Sequence, residues 1–286
     1  MRKLSGGFLD CLTSGFLAGI PQAVRADQDL NLEIREGYLN VYFKGNSLLK
    51  LTEDSPTKYK IGIHKAFTAG LNLPSVLTDA KTTATFLSNI PQLKQNVIRH
   101  GKSSLEIEYE QMIIRANNFE PRNNSEYFII DRQYSVRIGR FDLTGIFWDR
   151  NRRRKYQEVD LCLMEVKFAL NQDIKKVHVQ LARYYEALKP MAARIAEECE
   201  TIFRQKLELG LYAQASGRLE AMKTLRISRD FSQFQFILIL VDYNPNSAKL
   251  NVDTIARLPF ANQVKVFRAG LAMWQQSVKP VADYKL

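Results

Sequence analysis

Three residues in this chain are of types and spacing that do chemistry. Glu165 and Lys167 interrupt the otherwise apolar run Leu161-Cys162-Leu163-Met164-Glu165-Val166-Lys167-Phe168, and Asp142 interrupts a second one between Phe141 and Leu143. In a strand, residues two apart share a face, so Glu165 and Lys167 point the same way. Burying such charges is costly unless they are paired or hold a metal. If the two runs form a hairpin across the charged stretch near residue 153, Asp142 and Glu165 stand at nearly equal distances from its centre and face each other on adjacent strands. Two facing carboxylates repel unless a cation lies between them. Magnesium or manganese suits oxygen ligands, typically taking one or two carboxylates and retaining waters. The Lys167 ammonium beside them is placed to orient or deprotonate a water, or to stabilise charge building on a phosphate. These are the parts of phosphodiester hydrolysis.

The elements that must position these residues follow from periodicity. Leu30 to Leu51 reads as a meander of three short strands with turns at Glu36-Gly37 and Lys44-Gly45-Asn46. Residues 52–60, with Pro56, read as a loop, and helices are expected near 64–71 and 81–90. Ser103 and Ser104 are suitable N-caps for a helix whose apolar face is Leu105, Tyr109, Met112, Ile113 and Ala116. Strands are expected at 127–130, 136–148 and 159–170, the last buried on both faces, then a helix over 172–188 ending at Pro190. One long helix or two fill 191–225, a strand covers 234–242, and a final helix lies near 261–276. The reading is an α/β (α+β) fold. A β-rich and helical extension occupies 1–100. A mixed-sheet domain spans 101–286, with a helical insertion near 191–227.

The pattern Ile138-Gly139-Arg140-Phe141-Asp142-Leu143 followed by Met164-Glu165-Val166-Lys167 resembles the Asp…(Asp/Glu)-x-Lys motif of the PD-(D/E)xK, restriction-endonuclease-like nucleases. Phe141 stands where that family often has Pro. The predicted order of elements is similar to its αβββαβ core over about residues 103–243. The resemblance implies a magnesium-dependent nuclease, endonucleolytic ahead of exonucleolytic and acting on DNA ahead of RNA. A prokaryotic or phage setting in repair, restriction or defence goes with it. Two further family positions are testable. One is a metal-side Glu on the first core helix, for which Glu106 is preferred, then Glu108, with Glu110 nearer solvent. The other is Gln-x-x-x-Tyr after the Lys, matched by Gln180 and Tyr184, which share a helical face and are expected to steady the substrate or the Lys, Gln180 in the catalytic set and Tyr184 as a nucleic-acid contact.

Composition agrees. Lys and Arg number 41 against 30 Asp and Glu, a formal net charge of +11, which suits a polyanionic partner. Arg152, Arg153, Arg154 and Lys155 cluster between the two site strands and, with Arg140, are the candidate phosphate contacts. The 3 cysteines form no CxxC pair and the 3 histidines no HExxH, which argues against disulfide and zinc frameworks. Neither a Walker loop nor a GxGxxG motif occurs. Phe8, Leu9, Leu12, Phe16 and Ile20 recur at near-helical spacing, and Asp10 interrupts them, so an amphipathic helix is expected rather than a signal peptide. No apolar stretch reaches the ~18 residues of a membrane span, so a cytoplasmic protein is expected. A double-strand cut needs two sites, which makes a homodimer an expectation. Two other readings remain open: a non-catalytic nucleic-acid-binding or scaffold module on the same fold, and a basic adaptor for membrane surfaces or partners.

Overall fold

The computed structural model describes all of the chain except residues 103–104, 121–123, 137–138, 154–156, 170, 213–217, 277, 279 and 284–286, and the side chains of 136 and 282. The expected caps Ser103 and Ser104, motif residue Ile138, and two of the basic residues, Arg154 and Lys155, lie outside the described residues.

The chain opens with helices α1 (Gly6–Thr13) and α2 (Gly19–Ala26), which bury Phe8, Leu9, Leu12, Ile20 and Val24. Ser5 caps α1 by accepting a hydrogen bond from the Phe8 backbone N–H. An antiparallel five-stranded sheet follows in the order β1 (Leu30–Ile34), β2 (Tyr38–Phe43), β3 (Asn46–Ser55), β4 (Lys58–Gly62) and β5 (Val76–Leu77). The loop expected at 52–60 is instead the end of β3, a tight turn and the start of β4. Tyr59 continues the alternation into the core, and Pro56 falls in the turn, where its fixed φ is useful. Helices α3 (Ala80–Ser88) and α4 (Ile90–His100) cover this sheet's apolar face. Residues 64–71 hold only a single 3-10 turn, Lys65–Phe67, and α4 went unpredicted because Pro91 reads as a breaker, although the first turn of a helix accepts it.

Helix α5 (Leu105–Ile114) leads into the second sheet, with strands β6 (Tyr127–Val136), β7 (Gly139–Phe147), β8 (Glu158–Phe168), β10 (Gln235–Val241) and β11 (Val264–Ala269). Their spatial order is β11-β10-β8-β7-β6, and short β9 (Arg226–Ile227) adds to the start of β8. The first three strands form an antiparallel meander, while β8, β10 and β11 run parallel. Helices α6 (Val177–Leu188) and α7 (Ala192–Glu208) follow β8, with α8 (Leu219–Met222) and α9 (Val252–Ala256) completing the set. The fold is α+β with one antiparallel and one mixed sheet. Among the described residues no helix is long and apolar enough to cross a membrane.

Three expectations are corrected here. The first hairpin strand extends to Val136, so the strand expected over 136–148 begins at Gly139. The final helix expected over 261–276 is in its first half strand β11. The far edge of apolar β10 takes a parallel partner, and that pairing overrides local periodicity. Helix α5 also presents a different face: Leu105, Met112 and Ala116 are exposed, whereas Glu110 and Ile114 are buried. Glu110 goes inside because Arg132 on β6 meets it, with Nη2 donating at 3.0 Å and Nε at 3.2 Å.

Buried apolar residues from Leu4 to Phe260 form one continuous cluster spanning both sheets. A buried ionic network crosses the same boundary. Arg35 donates to Asp131 at 2.5 Å and to the Arg132 carbonyl, and Lys206 on α7 donates to Glu33 at 2.7 Å and to the Ile130 carbonyl. Leu4 and Gln205 exchange two hydrogen bonds, and Arg2 reaches Asp131 at 2.8 Å.

Candidate active site

Strand β8 is the scaffold. Its alternation sends Leu161 and Leu163 to the main core and Cys162, Met164 and Val166 to a second cluster under α5. Pairing with β7 on one side and β10 on the other buries it nearly throughout. The β7–β8 ladder runs from Phe147↔Asp160 to Leu143↔Met164, so the next pair in register is Asp142 and Glu165. There the ladder gives way, and the Val166 backbone N–H donates to Asp142 Oδ2 at 2.8 Å instead of to a carbonyl. The opening at this end of the strands is a pocket of about 630 Å³ lined by Glu106, Arg140, Asp142, Glu165, Lys167 and Asp173, with Ser135, Gly139 and Asn171 at its margin.

Asp142, Glu165 and Lys167 are 9%, 6% and 6% exposed. Glu165 Oε1 accepts from Lys167 Nζ at 2.5 Å and from Gln180 Nε2 at 2.6 Å, while its Oε2 is buried and has no hydrogen-bond partner. Burial first, then the facing Glu165, pushes the Asp142 carboxyl up to about 8, against the Val166 N–H bond that favours its charged form. Burial alone would lower the Lys167 ammonium, but the charge and hydrogen bond of Glu165, with Asp142 and Glu106 behind, hold it above its ordinary value. Glu106 is half-buried. Its carboxyl is raised by burial and by Glu165, against the pull of Lys167 and Arg140. Glu110, below it on α5, is raised to about 7 by burial despite Arg132.

Helix α6 supplies the supporting layer. Gln180 and Tyr184 stack one turn apart as their spacing requires. The Gln180 amide donates both to Glu165 and to the Tyr184 hydroxyl at 3.1 Å, and that hydroxyl donates to the Arg140 carbonyl at 3.2 Å. Gly139 makes this possible, since a Cβ there would lie 2.7 Å from the Tyr184 ring. Tyr184 is buried against Phe141 and so acts within the wall.

The structure therefore gathers Glu106, Arg140, Asp142, Glu165, Lys167 and Gln180 around one opening. It does not bring Arg152 and Arg153 there. Strand β7 ends at Phe147, five residues past Asp142 and about 17 Å along the strand, and these two residues of the arginine-rich turn lie beyond. Arg152 is exposed on that turn, while Arg153 is tied to the Trp148 and Ser125 carbonyls and to Asn124 Oδ1. Sequence reasoning missed Asn171 and Asp173. Their signal was position, just past the carboxyl end of a central strand, where sheets of this kind open. It also missed Tyr109, whose hydroxyl donates to Asp242 Oδ2 at 2.5 Å and whose ring packs on Phe168, fixing α5 beside Lys167.

Among the described residues no group of three or more His, Cys, Asp or Glu side chains converges into a metal cage. The donors that do converge, Asp142 and the orphaned Glu165 Oε2, are hard oxygens, and two carboxylates completed by water suit magnesium. Comparison with protein families, characterised proteins and solved structures finds no match for this chain.

Proposed function

We propose that the chain is a metal-dependent nuclease of the PD-(D/E)xK kind, hydrolysing phosphodiester bonds in nucleic acid with DNA as the first substrate to test. The observation that carries this reading is the buried, unpartnered Glu165 Oε2 in the pocket it shares with Asp142, whose carboxyl is pushed up to about 8 by burial and by Glu165 even with Lys167 beside the pair. A proton held that high marks a place where positive charge is wanted. The order α5-β6-β7-β8-α6-β10 around the site also supports it, as it corresponds to the αβββαβ core.

Asp142 and Glu165 would hold the magnesium, with Glu106 near enough to hold one of its waters. The bound ion would supply Lewis acidity and a water of lowered pKa. Lys167, whose ammonium is held above its ordinary value by Glu165, would act as a charge at the phosphate. Gln180 fixes the rotamer of Glu165, and Arg140, exposed on the rim, meets the phosphate backbone.

The test is cleavage of plasmid, linear and single-stranded DNA and of RNA, in magnesium, manganese or EDTA, beside Asp142→Ala and Lys167→Ala. Metal-dependent cleavage absent from both variants is the expected result. Cleavage that persists in both, or that ignores EDTA, overturns the reading.

A further inference from the structure

One face of the first sheet is covered by α7 only at β1, where Asn31 and Glu33 are buried and Glu33 is bound by Lys206; over β2–β4 its side chains are half-buried or exposed. In β2, Leu39, Val41 and Phe43 point into the core, so Tyr38, Asn40 and Tyr42 point the other way. The register carries this face across the sheet: Asn40 pairs with Lys50, Tyr38 with Thr52, and Thr52 with Lys60. These six side chains are aromatic, amide, hydroxyl or ammonium, and none is acidic. Lys50 Nζ sits 4.2 Å from the Tyr38 ring centre and has no carboxylate partner among the described residues, whereas Lys60 at the margin is held by Asp54.

The face leads to the site. The Arg132 guanidinium lies over the Tyr42 ring at 5.1 Å and binds Glu110, one helical turn from Glu106. The β2–β3 turn abuts the first turn of α5. Gly45, at φ +75° to match the turn, leaves room for the Ile107 side chain, and Lys44 approaches Glu108 at 3.9 Å. Glu106, the residue before Ile107, lines the pocket.

We infer that the open face of β2–β4, with Tyr38 and Lys50 at its centre and Tyr42 at its margin against Arg132, is a docking platform for a single strand of nucleic acid that runs on into the pocket at Asp142 and Glu165. The inference rests on the proposed nuclease reading and adds the substrate class. Single strands are held by base stacking on aromatic side chains beside a few backbone-tracking cations, which is the composition of this face. A duplex has no free base faces to stack and is held by many phosphate contacts. Two lysines on a flat sheet do not supply these.

The experiment is fluorescence anisotropy with labelled oligothymidylate, oligouridylate and a duplex, in EDTA so that binding is read without cleavage. The proteins are the wild-type chain, Tyr38→Ala, Lys50→Gln and, as a control, Lys81→Ala on α3, which covers the opposite face of the sheet. Lys50 is exposed and its variant is expected to fold as wild type, which thermal unfolding checks. The expected result is a single-strand preference in the wild type, about tenfold weaker binding for Tyr38→Ala, and a salt slope smaller by about one for Lys50→Gln, with Lys81→Ala unchanged. Unchanged binding in both platform variants, equal loss in the control, duplex preference, or no binding of any strand overturns the inference. Oligothymidylate against oligouridylate separates DNA from RNA as the strand. Cleavage is scored separately with Asp142→Ala and Lys167→Ala, so a failed platform and a failed nuclease give different results.

Discussion

Replacing Asp142 by Asn is expected to stabilise the metal-free protein while making it indifferent to magnesium. Asn keeps the shape and the acceptor for the Val166 N–H, yet removes the charge that faces Glu165. The sign follows from linkage. The folded carboxyl titrates near 8 and the unfolded one near 3.8, so the folded state holds the proton longer and wild-type stability falls as pH rises between these values. Lifting a carboxyl that far corresponds to about 6 kcal/mol. The realised gain is smaller, because Glu165 shares the repulsion and the open pocket admits water, and about 2 kcal/mol at pH 8.5 is expected. The assay is urea unfolding in EDTA at pH 5 and 8.5, repeated with millimolar magnesium. The variant should exceed wild type at pH 8.5, the two should converge toward pH 5, and magnesium should raise the midpoint of wild type alone. A variant weaker than wild type at both pH values, or equal stabilisation of both by magnesium, refutes the electrostatic account of this pair.

Lys167→Met should reduce single-turnover cleavage by about a hundredfold or more while leaving magnesium-induced stabilisation in place, since the ammonium acts at the phosphate and not as a ligand; loss of the magnesium response would reassign it. Gln180→Leu strips a hydrogen bond from Glu165 and should lower the cleavage rate about tenfold at saturating substrate, with oligonucleotide affinity unchanged. Tyr109→Phe removes the bond to Asp242 that anchors α5 and should cost about 1–3 kcal/mol in urea unfolding, because the acceptor is charged. Lys206→Met removes the nearer of the two cations of Glu33, which stays buried beside Asp131 with only Arg35 at 3.9 Å, and should cost about 3 kcal/mol, read the same way.

The core of the site was legible because its reasoning depends on short-range rules. Strand alternation puts Glu165 and Lys167 on one face, and counting from the turn puts Asp142 opposite, which is the register found. Helical spacing likewise brings Gln180 and Tyr184 together. What failed was decided by partners distant in sequence. Glu110 looks solvent-facing until Arg132, 22 residues on, is seen to receive it, and Leu105 and Met112 look buried until that exchange exposes them. Val264–Ala269 carries two valines and a phenylalanine that suit a strand, a signal lost inside the longer helix expected over 261–276, and it pairs because β10 has an edge to fill. Arg152 and Arg153 looked like part of the site because they lie between the site strands in sequence, but the length of those strands carries them to the far end.

The ionic network between the two sheets has a consequence for how the chain is made. Glu33 and Arg2 find their partners on α7, 173 and 196 residues later, and Leu4 waits 201 residues for Gln205. During synthesis these groups therefore wait for their α7 partners until after Asp131, Asp142 and Glu165 have been made. A chain halted before residue 198 holds the carboxylates of the site but neither the α7 groups that tie the two sheets together nor β10, which flanks β8.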